Sequence, residues 1–231
     1  MSVLESAIGW LAPATCVGCG VEGSALCISC SATEILPHGQ RCWRCGAISE
    51  GGRTCKRCRQ VGSPRYVWIS TDYEGVAKKL VQKYKFGQLR AVATSIATVM
   101  AETFLSFNSD AEIGKLDYLV VAVPTATSRV RQRSFDHAGL LAKSVARRLR
   151  LQSCPALGRI GQARQLGTSR SVRLAQPAGS YFIRDAKAIN GRNVLLIDDV
   201  LTTGATLQAA TSALRRAGAK RVDALVFAKR L

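Results

Sequence analysis

The sequence contains no run of apolar residues long enough to cross a membrane. A membrane helix needs about 18 to 20 consecutive apolar residues, and no segment of the 231 residues approaches that length. The amino terminus has no basic start, and Glu5 and Ser6 interrupt its apolar residues, which is atypical of a secretory signal. Its spacing indicates a short amphipathic helix, which we expect to pack on the rest of the protein; contact with a membrane or a partner is the less favoured alternative. We therefore expect a cytoplasmic protein without a membrane span.

Acidic residues are scarce. The 15 Asp and Glu residues stand against 33 Lys and Arg, which gives a formal net charge of +18. Such an excess favours polyanionic partners, because Lys and Arg that neutralise nucleic-acid phosphates release bound counterions. A substrate with several phosphates would use the same charge, and a generally basic protein without such a partner is the third alternative.

Cysteine is abundant, and eight of the nine cysteines form CxxC pairs within roughly the first quarter of the chain. Because nothing indicates export, disulfides are disfavoured in the reducing cytosol and metal binding is the better explanation. Two residues between cysteines let a tight turn aim both sulfurs at one ion, and two such turns complete a tetrahedral zinc site. We predict two structural zinc ions in residues 1–62. Their ligands are Cys16, Cys19, Cys27, Cys30, Cys42, Cys45, Cys55 and Cys58.

The way in which the four cysteine pairs combine is open. A sequential scheme joins the first two pairs in one site and the last two in another, whereas a cross-brace joins the first with the third and the second with the fourth. We favour the sequential scheme because each CxxCG is followed closely by a plain CxxC. The second half of this segment would suit nucleic-acid contact, although a solvated basic face is equally consistent. It contains Arg41, Trp43, Arg44, Arg53, Lys56, Arg57 and Arg59.

The composition changes after Gly62, and we divide the chain there into a cysteine-rich segment, 1–62, and a domain, 63–231. Apolar patterns predict strands in YVWISTDY, DYLVVAVP, SYFI, NVLLI and RVDALVFA, with helices at about 74–87, 89–107, 135–149 and 204–217. This alternation indicates an α/β fold with a mainly parallel sheet flanked by helices. Residues 159–179 have no periodicity, which is typical of a loop that is either functional or disordered. Cys154 is expected to be a small buried residue.

The stretch VLLIDDVLTTGAT, residues 194–206, places two acids between a buried strand and a helix. Open α/β sheets bind ligands at that position. Thr202, Thr203, Gly204, Ala205 and Thr206 offer backbone N–H groups and hydroxyls at a helix start, which together form a nest for a phosphate group. The two acids, Asp198 and Asp199, lie close enough to receive the hydroxyls of a ribose or to hold Mg²⁺ through water. A simple helix cap needs only one such residue.

The same stretch resembles the phosphoribosyl-diphosphate binding motif of type I phosphoribosyltransferases. The resemblance extends along nearly the whole chain to the ComF family, because the cysteine sets, YKFG, VAVP, RQRSF, an irregular Gln/Arg loop and the motif come in that family's order. It implies a zinc-binding segment joined to a phosphoribosyltransferase-like domain. The best-known members support natural transformation, which implies phosphoribosyl diphosphate, single-stranded DNA, and competence helicase or recombination proteins as partners.

The resemblance also implies roles for individual residues. Asp198 and Asp199 would bind the ribose hydroxyls, and Thr202 to Thr206 the 5′-phosphate. The reaction would displace pyrophosphate at ribose C1, with Mg²⁺ and cationic side chains on the leaving group and a lid that excludes water. The remaining implied residues are Pro124 and Thr125 in the pyrophosphate loop, Lys85 with Arg131 or Arg133 against the diphosphate charge, and Arg170 or Arg173 on the lid.

One motif departs from the family pattern, which has Arg-Gly-Phe-Asn-Gln where this chain has Arg133-Ser134-Phe135-Asp136-His137. Two hypotheses therefore follow from the sequence. The first is a Mg²⁺-dependent phosphoribosyltransferase with an unknown acceptor. The second is a non-catalytic single-stranded-DNA-binding module on the same fold, favoured by the net charge and the zinc segment. A transcriptional regulator would need a helix-turn-helix, and the sequence has no convincing one.

Overall fold

The computed structural model describes residues 14–86, 89–108, 117–124, 136–159 and 181–230. In these residues the strands are β1 (Val67–Asp72), β2 (Tyr118–Ala122), β3 (Gln152–Ser153), β4 (Leu157–Arg159), β5 (Tyr181–Ile183), β6 (Asn193–Leu201) and β7 (Arg221–Lys229). The α-helices are α1 (Ile28–Glu34), α2 (Gly75–Phe86), α3 (Leu89–Phe107), α4 (His137–Arg148), α5 (Ala186–Ile189) and α6 (Ala205–Arg216), and a 3₁₀ turn covers Glu50–Gly52.

Five strands form one sheet in the order β1-β7-β6-β2-β3. All of its strand pairs are parallel, so the predicted α/β fold with a mainly parallel sheet is confirmed. The predicted strand SYFI does not join this sheet, because β5 pairs antiparallel with β4 in a separate two-stranded sheet. Parallel neighbours need a crossover of about a dozen residues or more, and between β5 and β6 lies only the four-residue helix α5 with short turns.

The sheet is covered on both faces, as expected of parallel strands with continuous apolar sequences. Alternate residues of β6 point to opposite layers: Leu195 and Ile197 pack with α2, α3 and α4, whereas Val194 and Leu196 pack with α6. The helix predicted at about 74–87 is present as α2, and four of its larger apolar residues are buried on the side that faces the sheet. They are Val76, Leu80, Val81 and Tyr84.

The cysteine-rich segment packs into these same layers. Leu26 and Ile35 belong to the layer of α2 and α3, and Trp43 belongs to the layer of α6. The division of the chain at residue 62 stays a prediction. Cys154 is only half-buried, so the expectation of a buried thiol is wrong; the edge strand β3 leaves its side chain partly open. Among the described residues, no helix is long and apolar enough to span a membrane.

A buried polar network joins the strands at their amino ends. Asp223 is fully buried, accepts a hydrogen bond of 2.9 Å from the Tyr66 N–H and accepts another from the Tyr118 hydroxyl. Its Oδ2 lies 2.5 Å from Nε of Arg221. Burial raises the pKa of the Asp223 carboxyl, and the Arg221 guanidinium opposes that shift. The network lies at the end of the sheet opposite to that at which α/β folds bind ligands.

Candidate functional site

The eight paired cysteines form two separate clusters. Within each cluster the four sulfurs lie within 4.8 Å of one another, which is the geometry of one ion with four thiolate ligands. The sequential scheme is therefore confirmed and the cross-brace is wrong. The first cluster contains Cys16, Cys19, Cys27 and Cys30, and the second contains Cys42, Cys45, Cys55 and Cys58.

The two clusters repeat the same electrostatics. At Cys16, burial raises the thiol pKa, but backbone N–H groups of Cys19, Cys27 and Gly18 outweigh it and lower the pKa to about 6. Cys42 has the same balance and the same pKa of about 6. One thiol of each cluster therefore ionises readily, as a metal ligand must. The donor set of four sulfurs fits zinc.

A second candidate site is a cleft of about 400 Å³ at the carboxyl ends of the sheet strands. Parallel sheets of this type bind ligands at that edge. The cleft brings together six of the residues expected in the site: Lys85, Pro124, Asp198, Asp199, Thr202 and Thr206. Thr125, Arg131, Arg133, Arg170 and Arg173 lie outside the described residues.

The turn between β6 and α6 is open at the start of the helix. Thr202, Thr203, Ala205 and Thr206 are exposed. The N-cap residue of α6 is Gly204, which has no side chain to cap the helix, and the Thr203 hydroxyl accepts a long hydrogen bond of 3.4 Å from the Ala205 N–H. Gly204 has φ +77°, a left-handed conformation that glycine adopts without strain. The exposed first turn of the helix and the helix dipole make this turn suitable for an anion. We call residues 202–206 the phosphate turn.

The two acids of the cleft have different surroundings. Asp199 pairs with Lys85, with 3.0 Å between Oδ2 and Nζ. Asp198 instead accepts a 2.9 Å hydrogen bond from the Asp199 N–H. Desolvation by burial, followed by the charge of Asp199, raises the pKa of Asp198 to about 8. The cleft thus favours the neutral form of the Asp198 carboxyl, and a bound cation or hydroxyl donor would favour its ionised form.

Several residues of the cleft were not expected from the sequence. The Tyr84 hydroxyl donates a hydrogen bond to the His137 carbonyl, and the two rings meet edge to face at 5.3 Å. This contact joins α2 to the first turn of α4. Arg159, from β4, and Arg230, directly after β7, bring positive charge to the cleft. Arg230 follows a parallel strand, so the rule that strand ends gather ligands would have identified it.

The chain is similar to known proteins over much of its length. The phosphoribosyl transferase domain family matches residues 137–231. Competence protein ComFC of Bacillus subtilis (strain 168) is 26% identical over 209 residues, 84% of this chain and 79% of that protein. DNA utilization protein YhgH of Escherichia coli (strain K12) is 25% identical over 217 residues, 86% of this chain and 94% of that protein. The ComFC protein of Streptococcus pneumoniae (strain ATCC BAA-255 / R6) is 26% identical, covering 87% of this chain and 86% of that protein.

A solved structure described as the allosteric regulatory enzyme of purine biosynthesis is 15% identical with a TM-score of 0.42, over 63% of this chain and 29% of that one. The family match and the cleft define the class: the chain contains a phosphoribosyltransferase-type domain preceded by two four-cysteine clusters. Over most of its length the chain is similar to proteins named ComFC and YhgH, in line with the resemblance to the ComF family.

Proposed function

We propose that the protein acts in DNA uptake or DNA use and binds phosphoribosyl diphosphate with Mg²⁺ in the cleft. The observation that carries this proposal is the juxtaposition of the exposed phosphate turn with Asp198 and Asp199 in one cleft. A ribose 5-phosphate placed there directs its phosphate at the helix start and its hydroxyls at the two acids. The relatives are named for competence and DNA utilization, which supports the cellular role.

The chemistry that fits these residues is pentosyl transfer to an acceptor that is not identified. A bond forms between the acceptor and ribose C1 while the bond from C1 to the diphosphate oxygen breaks, and its electron pair leaves with pyrophosphate. Lys85, Arg159 and Arg230 place positive charge in the cleft where the leaving group gains negative charge. Mg²⁺, when bound near Asp198 and Asp199, would neutralise part of the diphosphate charge.

Calorimetric titration of the zinc-loaded protein with phosphoribosyl diphosphate and Mg²⁺ tests this function. We expect saturable binding that is lost in an Asp198→Asn, Asp199→Asn double variant. Asp185→Asn is the matched control, because Asp185 is an exposed acid that caps α5 and Asn also caps helices well. Binding that persists in the double variant would refute the placement. If binding is lost as expected, a screen of purified acceptors for release of pyrophosphate would establish transfer.

A second candidate function is single-stranded DNA binding by the segment around the second cysteine cluster. Its basic side chains are exposed, and Glu50 is the only acid between residues 35 and 71. A surface of this kind neutralises backbone phosphates, so the affinity should fall with salt. The exposed basic residues are Arg41, Arg44, Arg53, Lys56, Arg57 and Arg59.

Fluorescence anisotropy with a labelled oligothymidylate tests the second function. Each neutralised phosphate of a single strand contributes about −0.7 to the slope of log affinity against log salt. Removing two charges with Lys56→Ala and Arg57→Ala should therefore reduce that slope by about 1.4. Lys78→Ala with Lys79→Ala is the control, since both are exposed on α2. An equal effect of the two double variants would show that the second cluster is not the binding face.

A further inference from the structure

The side chain of Trp43 connects the second cysteine cluster to the core. Trp43 lies between the ligands Cys42 and Cys45 in sequence, and its side chain is 2% exposed. Its Nε1 donates a 2.9 Å hydrogen bond to Oγ1 of Thr54, the residue before Cys55. The indole is therefore fixed from two sides, because residues next to both CxxC turns of one cluster hold it. Its orientation depends on the geometry of that cluster.

The edge of this indole lies directly under the phosphate turn. A Cβ atom added to Gly204 would lie 2.0 Å from Cζ3 of Trp43 and 2.9 Å from Cε3, so a glycine is required for the close approach as well as for φ. Two further contacts continue along α6: Gln208 Nε2 lies 3.2 Å from Gln60 Oε1, and an added Cβ at Gly62 would lie 1.9 Å from Ser212 Oγ. Gly204, Gln208 and Ser212 are four residues apart, and thus form one face of the helix.

We propose that Trp43 is a positioning residue for the phosphate turn, and that metal bound by the second cysteine cluster thereby sets the affinity of the cleft for a phosphate monoester. This inference rests on the proposed function, in which residues 202–206 bind the 5′-phosphate. Backbone N–H donors must converge on one anion to within about 0.5 Å. A turn supported by a fixed aromatic ring meets that requirement, whereas loss of the metal frees the Cys42–Cys45 turn and with it the ring.

The two clusters are not equivalent in this respect. The first cluster packs on the opposite side of the sheet. There Gly18 lies close to Cys30 of α1 and to Val76 of α2, so that an added Cβ would contact both. Its buried residues Cys16 and Cys30 belong to the layer of α2 and α3, and α6 belongs to the other layer. Cys19 and Cys45 are corresponding, exposed ligands of the two clusters. Replacement of Cys19 is therefore the matched control for replacement of Cys45.

Amide hydrogen exchange of the full-length, zinc-loaded chain tests the support without any ligand. The first protected amide of α6 is that of Gln208, which donates a 2.9 Å hydrogen bond to the Gly204 carbonyl. We expect this amide and those of residues 209–212 to exchange at least tenfold faster in Cys45→Ser than in the wild type, and at the wild-type rate in Cys19→Ser. Trp43→Leu, which keeps all eight ligands, should reproduce the effect, and Trp43→Phe should restore most of the protection because it retains an aromatic ring. Equal exchange in all variants, or equal acceleration by Cys19→Ser, would overturn the proposal.

Affinity for phosphoribosyl diphosphate with Mg²⁺, measured by calorimetry, gives the second test. Gly204→Ala should weaken binding about a hundredfold because the new methyl group collides with Trp43. Adding Trp43→Leu to Gly204→Ala should recover at least tenfold, since the smaller side chain leaves room for the methyl group. Independent effects of the two substitutions would contradict the inferred contact.

Gly191→Ala controls for backbone strain in this test. Gly191 has a similar φ of +73°, and among the described residues an added Cβ there would meet open space. We expect it to lower stability without lowering affinity, and an equal loss of affinity would assign the Gly204→Ala effect to strain alone. If the wild type does not bind phosphoribosyl diphosphate, the proposed function fails, while the exchange experiment still decides whether Trp43 supports the turn.

Discussion

Asp223→Asn should destabilise the fold more than any isosteric change at the surface. The substitution keeps the shape of the side chain and an oxygen that accepts hydrogen bonds, but it removes the negative charge that faces Arg221. That guanidinium lies over the rings of Tyr66 and Tyr118, at 5.1 Å and 5.8 Å from their centroids. Without the carboxylate, a mostly buried cation has no counter-charge in the network.

The magnitude follows from the burial of the pair. Removing one partner of a buried ion pair costs about 3 to 5 kcal/mol. The Arg221 side chain retains 18% of its exposure, whereas Asp223 retains none, so water compensates part of the loss and we expect about 3 kcal/mol. At roughly 2 to 4 °C per kcal/mol for a chain of this size, the unfolding midpoint should fall by roughly 6 to 12 °C.

Urea titration of the two proteins, followed by far-ultraviolet circular dichroism, measures this difference. Asp117→Asn is the control, because Asp117 also pairs with an arginine, at 3.2 Å from Arg192, but its side chain is 75% exposed. Exposed pairs contribute about 0 to 1 kcal/mol. A loss below about 1 kcal/mol for Asp223→Asn, or one no larger than that of the control, would refute the assignment of a buried charge pair. Affinity for ligands at the opposite end of the strands should not change.

Three further predictions concern the cleft and the cysteines. Asp198→Asn should raise the free energy of unfolding in urea, because burial raises the pKa of Asp198 from 3.8 to about 8. The wild type then loses stability as the pH rises from about 4 towards 8, and the loss is constant above that. An advantage of the variant that does not increase between pH 6 and pH 9 would contradict this prediction. Lys85→Met should lower affinity for phosphoribosyl diphosphate at least tenfold by leaving Asp199 without its 3.0 Å partner, as measured by calorimetry, whereas Lys79→Met, exposed on the same helix, should not. Elemental analysis should find two zinc ions per chain and one in Cys45→Ser; any other ratio would reject two independent clusters.

Elements with strong local patterns were predicted well from the sequence. The apolar spacing of α2 and α3 defined both helices, because each buries one continuous face. β6 extends beyond NVLLI to Leu201, since Asp198 and Val200 still pair with β7. Polar and half-buried residues at the end of a strand weaken the apolar pattern there. β4 was missed altogether, because three residues carry no periodicity and its partner lies more than twenty residues away.

The residues of the cleft that lie in local motifs were expected from the sequence. Asp198 and Asp199 are in a motif of adjacent residues, and Lys85 is in a short motif of its own. The support of Gly204 by Trp43 joins residues about 160 positions apart, and no local pattern indicates such a contact. The hydrogen bond from Tyr84 to His137 is a second case. The roles assigned to the site residues, Thr125 and Arg133 included, all stay predictions.

During translation, Trp43 is synthesised about 160 residues before Gly204, the glycine that packs against it. At 5 to 20 residues per second, this interval is roughly 10 to 30 s. During that time the second CxxC set is complete and able to take up its metal, but the indole has no helix α6 to pack against. We therefore expect the metal-bound turn to form first and to serve as a preformed surface on which the last third of the chain folds. A nascent chain deprived of zinc would present an uncovered tryptophan and free thiols together, the combination that quality-control proteases and chaperones encounter in misfolded proteins.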